Sequence, residues 1–183
     1  NTPAISLNPG ENLITISGSN YGGAVVSATI TITRTPPAVV YVAPGGSNVP
    51  PYNSWSKAAN IIQDAVETVA TNGTIWVSNG VYAVGGRVTP DYYALTNRVC
   101  IRNPITMQSV NGPTNTFIVG VSQLGASAVR CVYMSAGTLS GFTLTNGGTF
   151  SASSSYIYEM CGGGVMLDNG GLVSNCILTG CSA

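Results

Sequence analysis

Six carboxylates, six fixed cations and no histidine make up the ionic side chains of this 183-residue chain. Cleaving a glycosidic bond takes two carboxyls a few ångströms apart, one giving a proton and the other acting as base or nucleophile. Beyond residue 72 the chain supplies only Asp91, Glu159 and Asp168, far apart in sequence and none in an Asp-rich motif. Arg87, Arg98, Arg102 and Arg130 are available as bases, but a lone arginine on a strand more often pairs with a carboxylate or projects to solvent. Nucleophilic catalysis fares no better, since no histidine can activate a serine or cysteine and no Gly-x-Ser-x-Gly elbow is present. The expectation is a protein that is not an enzyme and that binds no cofactor and no metal.

Other reactive groups point outward from catalysis. Five cysteines (Cys100, Cys131, Cys161, Cys176 and Cys181) in so polar a chain suggest an oxidising, extracellular setting. Without histidine or a Cys-x-x-Cys pair they do not read as a zinc site. An odd number leaves one over if all pairing is internal, and free thiols packed as small apolar side chains are the competing reading. Asn72-Gly73-Thr74 is the single glycosylation sequon. Tyr92, Tyr93, Tyr156 and Tyr158 lie in loop-like sequence where they could stack on sugar rings, whereas Trp55 is expected to pack beside a helix.

Composition narrows the partners. Charged residues are 7% of the chain and cancel to a net charge of zero, against about a quarter in ordinary soluble domains. Nucleic acid and anionic membrane surfaces both require a basic footprint, so neither is expected. A surface of Ser, Thr, Asn and Gly carries little like-charge repulsion and resists self-association weakly. No apolar run is long enough to span a bilayer, and no charged segment followed by an apolar one opens the chain. Beginning at Asn1, it reads as a mature or processed chain.

The elements that must position these groups are mostly strands. Residues 1–34 alternate strand and turn, with Asn8-Pro9-Gly10 before Leu13-Ile14-Thr15-Ile16 and a strict Ile/Thr alternation up to Thr33. Thr35-Pro36-Pro37 is a stiff linker. A strand at 39–42 runs into a Gly45-Gly46 turn, and a helix is expected over about 55–71. Ala58, Ala59, Ile61, Ile62, Ala65, Val66 and Val69 would share its apolar face, Ser54 or Ser56 would cap it, and Asn72-Gly73 would end it.

Then a phrase repeats. Thr138-Leu139-Ser140-Gly141-Phe142-Thr143-Leu144-Thr145-Asn146-Gly147 returns loosely as Gly171-Leu172-Val173-Ser174-Asn175-Cys176-Ile177-Leu178-Thr179-Gly180. Aligning Leu139 with Leu172 gives a period of 33 residues, and Ile105 precedes Leu139 by 34. A strand-turn unit of this length cannot bury its apolar face alone and must stack on its neighbours. The same period stacks the strands around Cys100 and Cys131, which makes those two the first choice for a disulfide, with a second pair among Cys161, Cys176 and Cys181.

Two resemblances follow. Leu7-Asn8-Pro9-Gly10-Glu11-Asn12-Leu13-Ile14-Thr15-Ile16 with Ala28-Thr29-Ile30-Thr31-Ile32-Thr33-Arg34 resembles the last strands of a bacterial immunoglobulin-like domain. Tyr41-Val42-Ala43-Pro44-Gly45-Gly46-Ser47-Asn48, Trp55, Ala58-Ala59, Ile62-Gln63, Ala65-Val66, Gly73-Thr74-Ile75-Trp76-Val77 and Gly80-Val81-Tyr82 resemble the amino-terminal coil of right-handed parallel β-helix proteins of the pectin-lyase-like superfamily. The second resemblance implies a helix plugging the open end of the β-helix. It also brings in pectate lyases, which hold calcium with clustered Asp or Glu beside a basic residue; the three scattered carboxylates here depart from that pattern.

The expected fold is all-β: a short right-handed parallel β-helix with an amino-terminal capping α-helix over residues 36–183, preceded by an incomplete immunoglobulin-like β segment over residues 1–35. The expected function is a non-catalytic extracellular structural protein, a subunit that joins copies of itself head to tail when residues 1–34 add strands to the next molecule, with covalent or bound glycans as further partners. The incomplete sheet and a last coil without a cap prompt this expectation. The alternatives are a piece of a carbohydrate-active β-helix enzyme and a sugar-binding adhesin stalk.

Overall fold

The computed structural model describes residues 5, 7, 8, 10–89, 94–150 and 157–183. They form two compact units, one up to Pro36 and one from Pro37 onward.

In the first unit β1 (Gly10–Ser19) and β2 (Val25–Arg34) form an antiparallel ribbon in unbroken register, from Gly10 opposite Arg34 to Ser19 opposite Val25. Asn20 closes the hairpin, its Oδ1 accepting the Ala24 amide at 2.9 Å. The pairing sorts the side chains by parity, because successive residues of a strand point to opposite faces. Ile14 meets Ile30, Ile16 meets Ala28 and Gly18 meets Val26 on one face; Thr15 meets Thr29 and Ser17 meets Ser27 on the other, with hydroxyl contacts of 3.3 and 2.8 Å. One face is mainly apolar, with Asn12 opposite Ile32 at one end, and the other is mainly hydroxyl, with Leu13 opposite Thr31 and Val25 opposite Ser19 near its ends.

The second unit is a parallel β-solenoid of about four turns. β3 (Val39–Val42), a 3-10 turn at Trp55–Lys57 and α1 (Ile62–Val66) come first. β4 (Thr74–Val77), β5 (Gly80–Tyr82), β6 (Arg87–Val88) and β7 (Thr96–Ile101) follow. β8 (Thr106–Ser109), β9 (Thr116–Val119) and β10 (Val129–Met134) make the next turn. β11 (Thr138–Ser140), β12 (Thr143–Thr145) and β13 (Val165–Leu167) succeed them, with β14 (Leu172–Ser174) and β15 (Ile177–Thr179) beyond. Three sheets run along the stack: β3-β4-β8-β11-β14, β5-β9-β12-β15 and β7-β10-β13, with β6 antiparallel on the outer edge of β7.

The repeat is a column of side chains. Val40, Ile75, Met107 and Leu139 occupy one register position on successive strands, each fully buried, and Val173 continues the column. Tyr82, Ile118 and Leu144 form a second column, Val99 and Val132 a third. Each such side chain contributes roughly 1.5–3 kcal/mol on burial, so the stack is held by its own interior.

The register corrects the expected alignment. Leu139 lies opposite Val173 and Met107, while Leu172 lies opposite Thr138. A slip of one residue turns a strand over: Leu139 is buried, and Leu172 is 57% exposed.

The helix is also shorter than the expected 55–71. Ala59 is extended and bridges Val42, its N–H donating to Tyr41 O and its C=O accepting from Ala43 N, both at 2.9 Å. Asn60 then holds the Gly45-Gly46 turn, Nδ2 donating to the carbonyls of Ala43, Pro44 and Gly46 at 3.0–3.2 Å. Ser54 makes no capping bond. These tertiary bonds outweigh the helix propensity of Ala58-Ala59, leaving the five residues of α1 to cover the first turn with Ile62, Gln63 and Ala65. A Cβ at Gly46 would lie 2.2 Å from Ala58 O, so only glycine fits this turn.

Candidate functional site

The described carboxylates beyond α1 are engaged in structure. Glu159, in the 3-10 turn Ile157–Glu159, is buried, and its Oε1 accepts the backbone amides of Ala94 and Leu95. Asp168 Oδ2 accepts the Tyr133 hydroxyl at 2.8 Å. Asp91 lies outside the described residues. Glu67 pairs with Arg87 at 2.9 Å on the exposed flank of α1.

Two arginines behave differently from either expected role. Arg130 is fully buried on β10. Its Nε donates to Gly162 O, Nη1 to Asn97 Oδ1, and Nη2 to the carbonyls of Tyr158 and Cys161. Arg98 is 9% exposed and donates to Val119 O at 2.8 Å and to Gly85 O. Burial draws both guanidinium pKa values below the ordinary range, and the rings of carbonyl acceptors offset that cost. They are anchors that pin loops to the coil. Nothing in their sequence neighbourhood distinguished them from surface arginines.

All five cysteines are free thiols. Cys100 sits opposite Tyr133 rather than Cys131, so the first-choice pair does not stack. The consecutive amides of Cys131 and Val132 both donate to the next turn, to Gly163 O and Gly164 O at 3.0 and 3.1 Å, a local bulge that aims Cys131 into the interior. Burial, followed by the neighbouring Cys181, pushes the Cys131 thiol up to about 12, and burial pushes Cys100 up to about 11. Cys161, Cys176 and Cys181 are half-buried.

Asn72 is exposed, at φ 62° in the tight turn into β4. Of the four tyrosines considered for sugar stacking, Tyr158 is 43% exposed, and Tyr92, Tyr93 and Tyr156 lie outside the described residues.

An aromatic site appears where sequence reasoning placed a packing residue. Trp55 is 44% exposed, and its ring leans on Tyr41 at a centroid distance of 4.7 Å and an angle of 56°. It borders an open depression of about 400 Å³ lined also by Ser78, Asn79, Val110 and Asn111. Asn111 Nδ2 donates to Asn79 Oδ1 at 2.9 Å, coupling the two amides. The signal was in the repeat: Asn79 and Asn111 each stand two residues beyond the paired Val77 and Ser109, 32 residues apart, although the loops that follow differ in length.

The ribbon of the first unit leaves apolar side chains uncovered. On its apolar face Ile16, Val26 and Ile30 are 68, 76 and 54% exposed. Among the described residues its sheet contains only these two strands, so along both outer edges alternate residues direct unpaired backbone groups outward. Such edges and faces are what strand addition uses.

Compared with models of known protein families, with curated proteins and with solved structures, the chain matches none.

Proposed function

We propose that the protein is a non-catalytic, extracellular structural subunit whose β1–β2 ribbon associates with a second copy of the chain. The observation that carries this reading is the ribbon's uncovered, mainly apolar face, opposite a mainly hydroxyl one, between two free edges. A two-stranded ribbon is marginal alone in water, and it gains stability from added strands and from cover for its apolar face. The near absence of charge leaves such contact between copies unopposed by repulsion. Head-to-tail joining follows when the ribbon of one subunit meets a different surface of the next, and contacts of that kind propagate as filaments. The engagement of Glu159, Asp168, Arg98 and Arg130 in internal bonds supports a scaffold over an enzyme. Membership in the pectin-lyase-like superfamily, and kinship of the ribbon with immunoglobulin-like strands, belong to the same proposal and rest on the quoted motifs.

Placing a lysine at Val26 and a glutamate at Ile30 would put charge on the apolar face while leaving the solenoid unit untouched. Sedimentation of the full chain should then show assemblies replaced by monomer; filaments that persist through both substitutions refute the role of the ribbon.

A second reading, the sugar-binding stalk, is favoured by the Trp55 depression, because an exposed indole flanked by fixed amides suits the apolar face and hydroxyls of a sugar ring. Quenching of tryptophan fluorescence by neutral oligosaccharides, lost in Trp55→Ala, distinguishes it from purely structural use.

A further inference from the structure

Cys131 on β10 and Cys181 beyond β15 belong to neighbouring turns of the solenoid, and several contacts place their sulfurs along the same stretch of β12. Cys131 Sγ donates to Thr145 O at 3.2 Å and Cys181 Sγ approaches Leu144 O at 3.7 Å, two consecutive carbonyls of β12. The backbones converge at the same place. Cys131 N donates to Gly163 O, and Ser182 N, one residue beyond Cys181, donates to Gly147 O at 2.8 Å. A Cβ built on Gly147 would lie 2.8 Å from Cys131 Sγ, and one on Gly164 would lie 3.2 Å from Cys181 Sγ. The two thiols are close enough that Cys181 acts on Cys131 electrostatically, raising its pKa beyond the effect of burial.

The other cysteines are held elsewhere. Cys100 faces Tyr133 across the β7–β10 ladder. The carbonyl of Cys161 is fixed by the Arg130 guanidinium. Cys176 Sγ reaches only to Leu139 O, at 4.0 Å, on the β11 side of the coil. Among the five cysteines, Cys131 and Cys181 are the two whose sulfurs meet on β12.

We propose that Cys131 and Cys181 form a disulfide on exposure to an oxidising environment, clamping one turn of the solenoid to the next. The oxidant is a small disulfide such as oxidised glutathione. Cys181, half-buried and the more accessible of the two, attacks first; one glutathione leaves as thiol and a mixed disulfide stays on Cys181. Cys131 then displaces the second glutathione. Two protein thiols give up two protons and two electrons, and one oxidised glutathione becomes two reduced ones. The product bond lies among Thr145, Gly147 and Gly164, buried on the Cys131 side and half-buried on the Cys181 side. It closes a loop of about 50 residues, which on chain-entropy grounds raises the melting temperature by roughly 10 °C.

The test uses the folded full chain incubated with oxidised glutathione at mildly alkaline pH, unfolded in the presence of iodoacetamide, digested without reduction and mapped by mass spectrometry. The expected result is one linked peptide pair joining Cys131 to Cys181, with Cys100, Cys161 and Cys176 alkylated. Alkylation of both Cys131 and Cys181, or a link from either one to another cysteine, overturns the proposal. A second measurement does not depend on the buried position. The oxidised chain should melt above the reduced one, the difference should vanish in Cys181→Ser and it should survive in Cys161→Ser. A difference that persists in Cys181→Ser likewise refutes the pairing.

Discussion

Gln63 of α1 pairs with the backbone of Cys100 on both sides, its Oε1 accepting the Cys100 amide at 2.8 Å and its Nε2 approaching the Cys100 carbonyl at 3.4 Å. A side-chain amide thus stands where a neighbouring strand would bond to β7. This is how a five-residue helix seals the part of β7 beyond Thr96 and Asn97, where β6 no longer pairs with it, and the same Nε2 ties back to Glu67 at 3.2 Å.

Removing that amide should expose its value directly. Gln63→Met keeps the side-chain volume but strands a buried N–H and C=O, which costs about 1–3 kcal/mol. Urea denaturation should show a lowered midpoint with an unchanged slope. An unaltered midpoint would mean that water or a shifted backbone replaces Gln63.

The register makes a sharper claim about two leucines that look equivalent in the repeated phrase. Leu139→Ala should cost about 2–5 kcal/mol, as for a fully buried leucine, whereas Leu172→Ala, 57% exposed, should stay within about 0.5 kcal/mol. Equal losses at the two positions, measured by denaturant titration, would place the strands one residue out.

Alkaline stability tests the Tyr133–Asp168 bond. Burial first, then the hydrogen bond to Asp168 and that carboxylate's charge, hold the phenol above its ordinary value. Below pH 10 the phenol is protonated in the folded and unfolded chains alike, and the bond's contribution is fully present. Above about pH 10 the unfolded tyrosine ionises while the folded one resists, so stability falls as pH rises toward the folded pKa. Tyr133→Phe should make this decline shallower. Tyr52 and Tyr82, both also raised by burial, keep it from flattening fully. A decline as steep as the parent's would show that Tyr133 titrates normally.

The stacked architecture was legible because columns such as Val40, Ile75, Met107 and Leu139 write the same apolar position into the chain every 32–35 residues. The register was not, since Leu139 and Leu172 are the same residue in similar surroundings and only the pairing of Leu139 with Val173 chooses between faces. Helix length was hidden in the three long-range bonds of Asn60, which no local propensity records. Arg130 looked like any strand arginine, because the carbonyls that satisfy it come from residues 158–162, some 30 positions away. Trp55 was placed in a packing role because its open surroundings depend on Asn79 and Asn111 arriving from two later turns.

The ribbon's two unlike faces carry a constraint on how this segment can change over generations. Losing or gaining a single residue within β1 or β2 would break the parity of the Ile14–Ile30 and Thr15–Thr29 pairs and leave one strand offering hydroxyls where its neighbour offers methyl groups. Two-residue changes preserve both faces. Length variation here is therefore tolerated in pairs, while point exchanges among Ser, Thr and Asn on the hydroxyl face are nearly free.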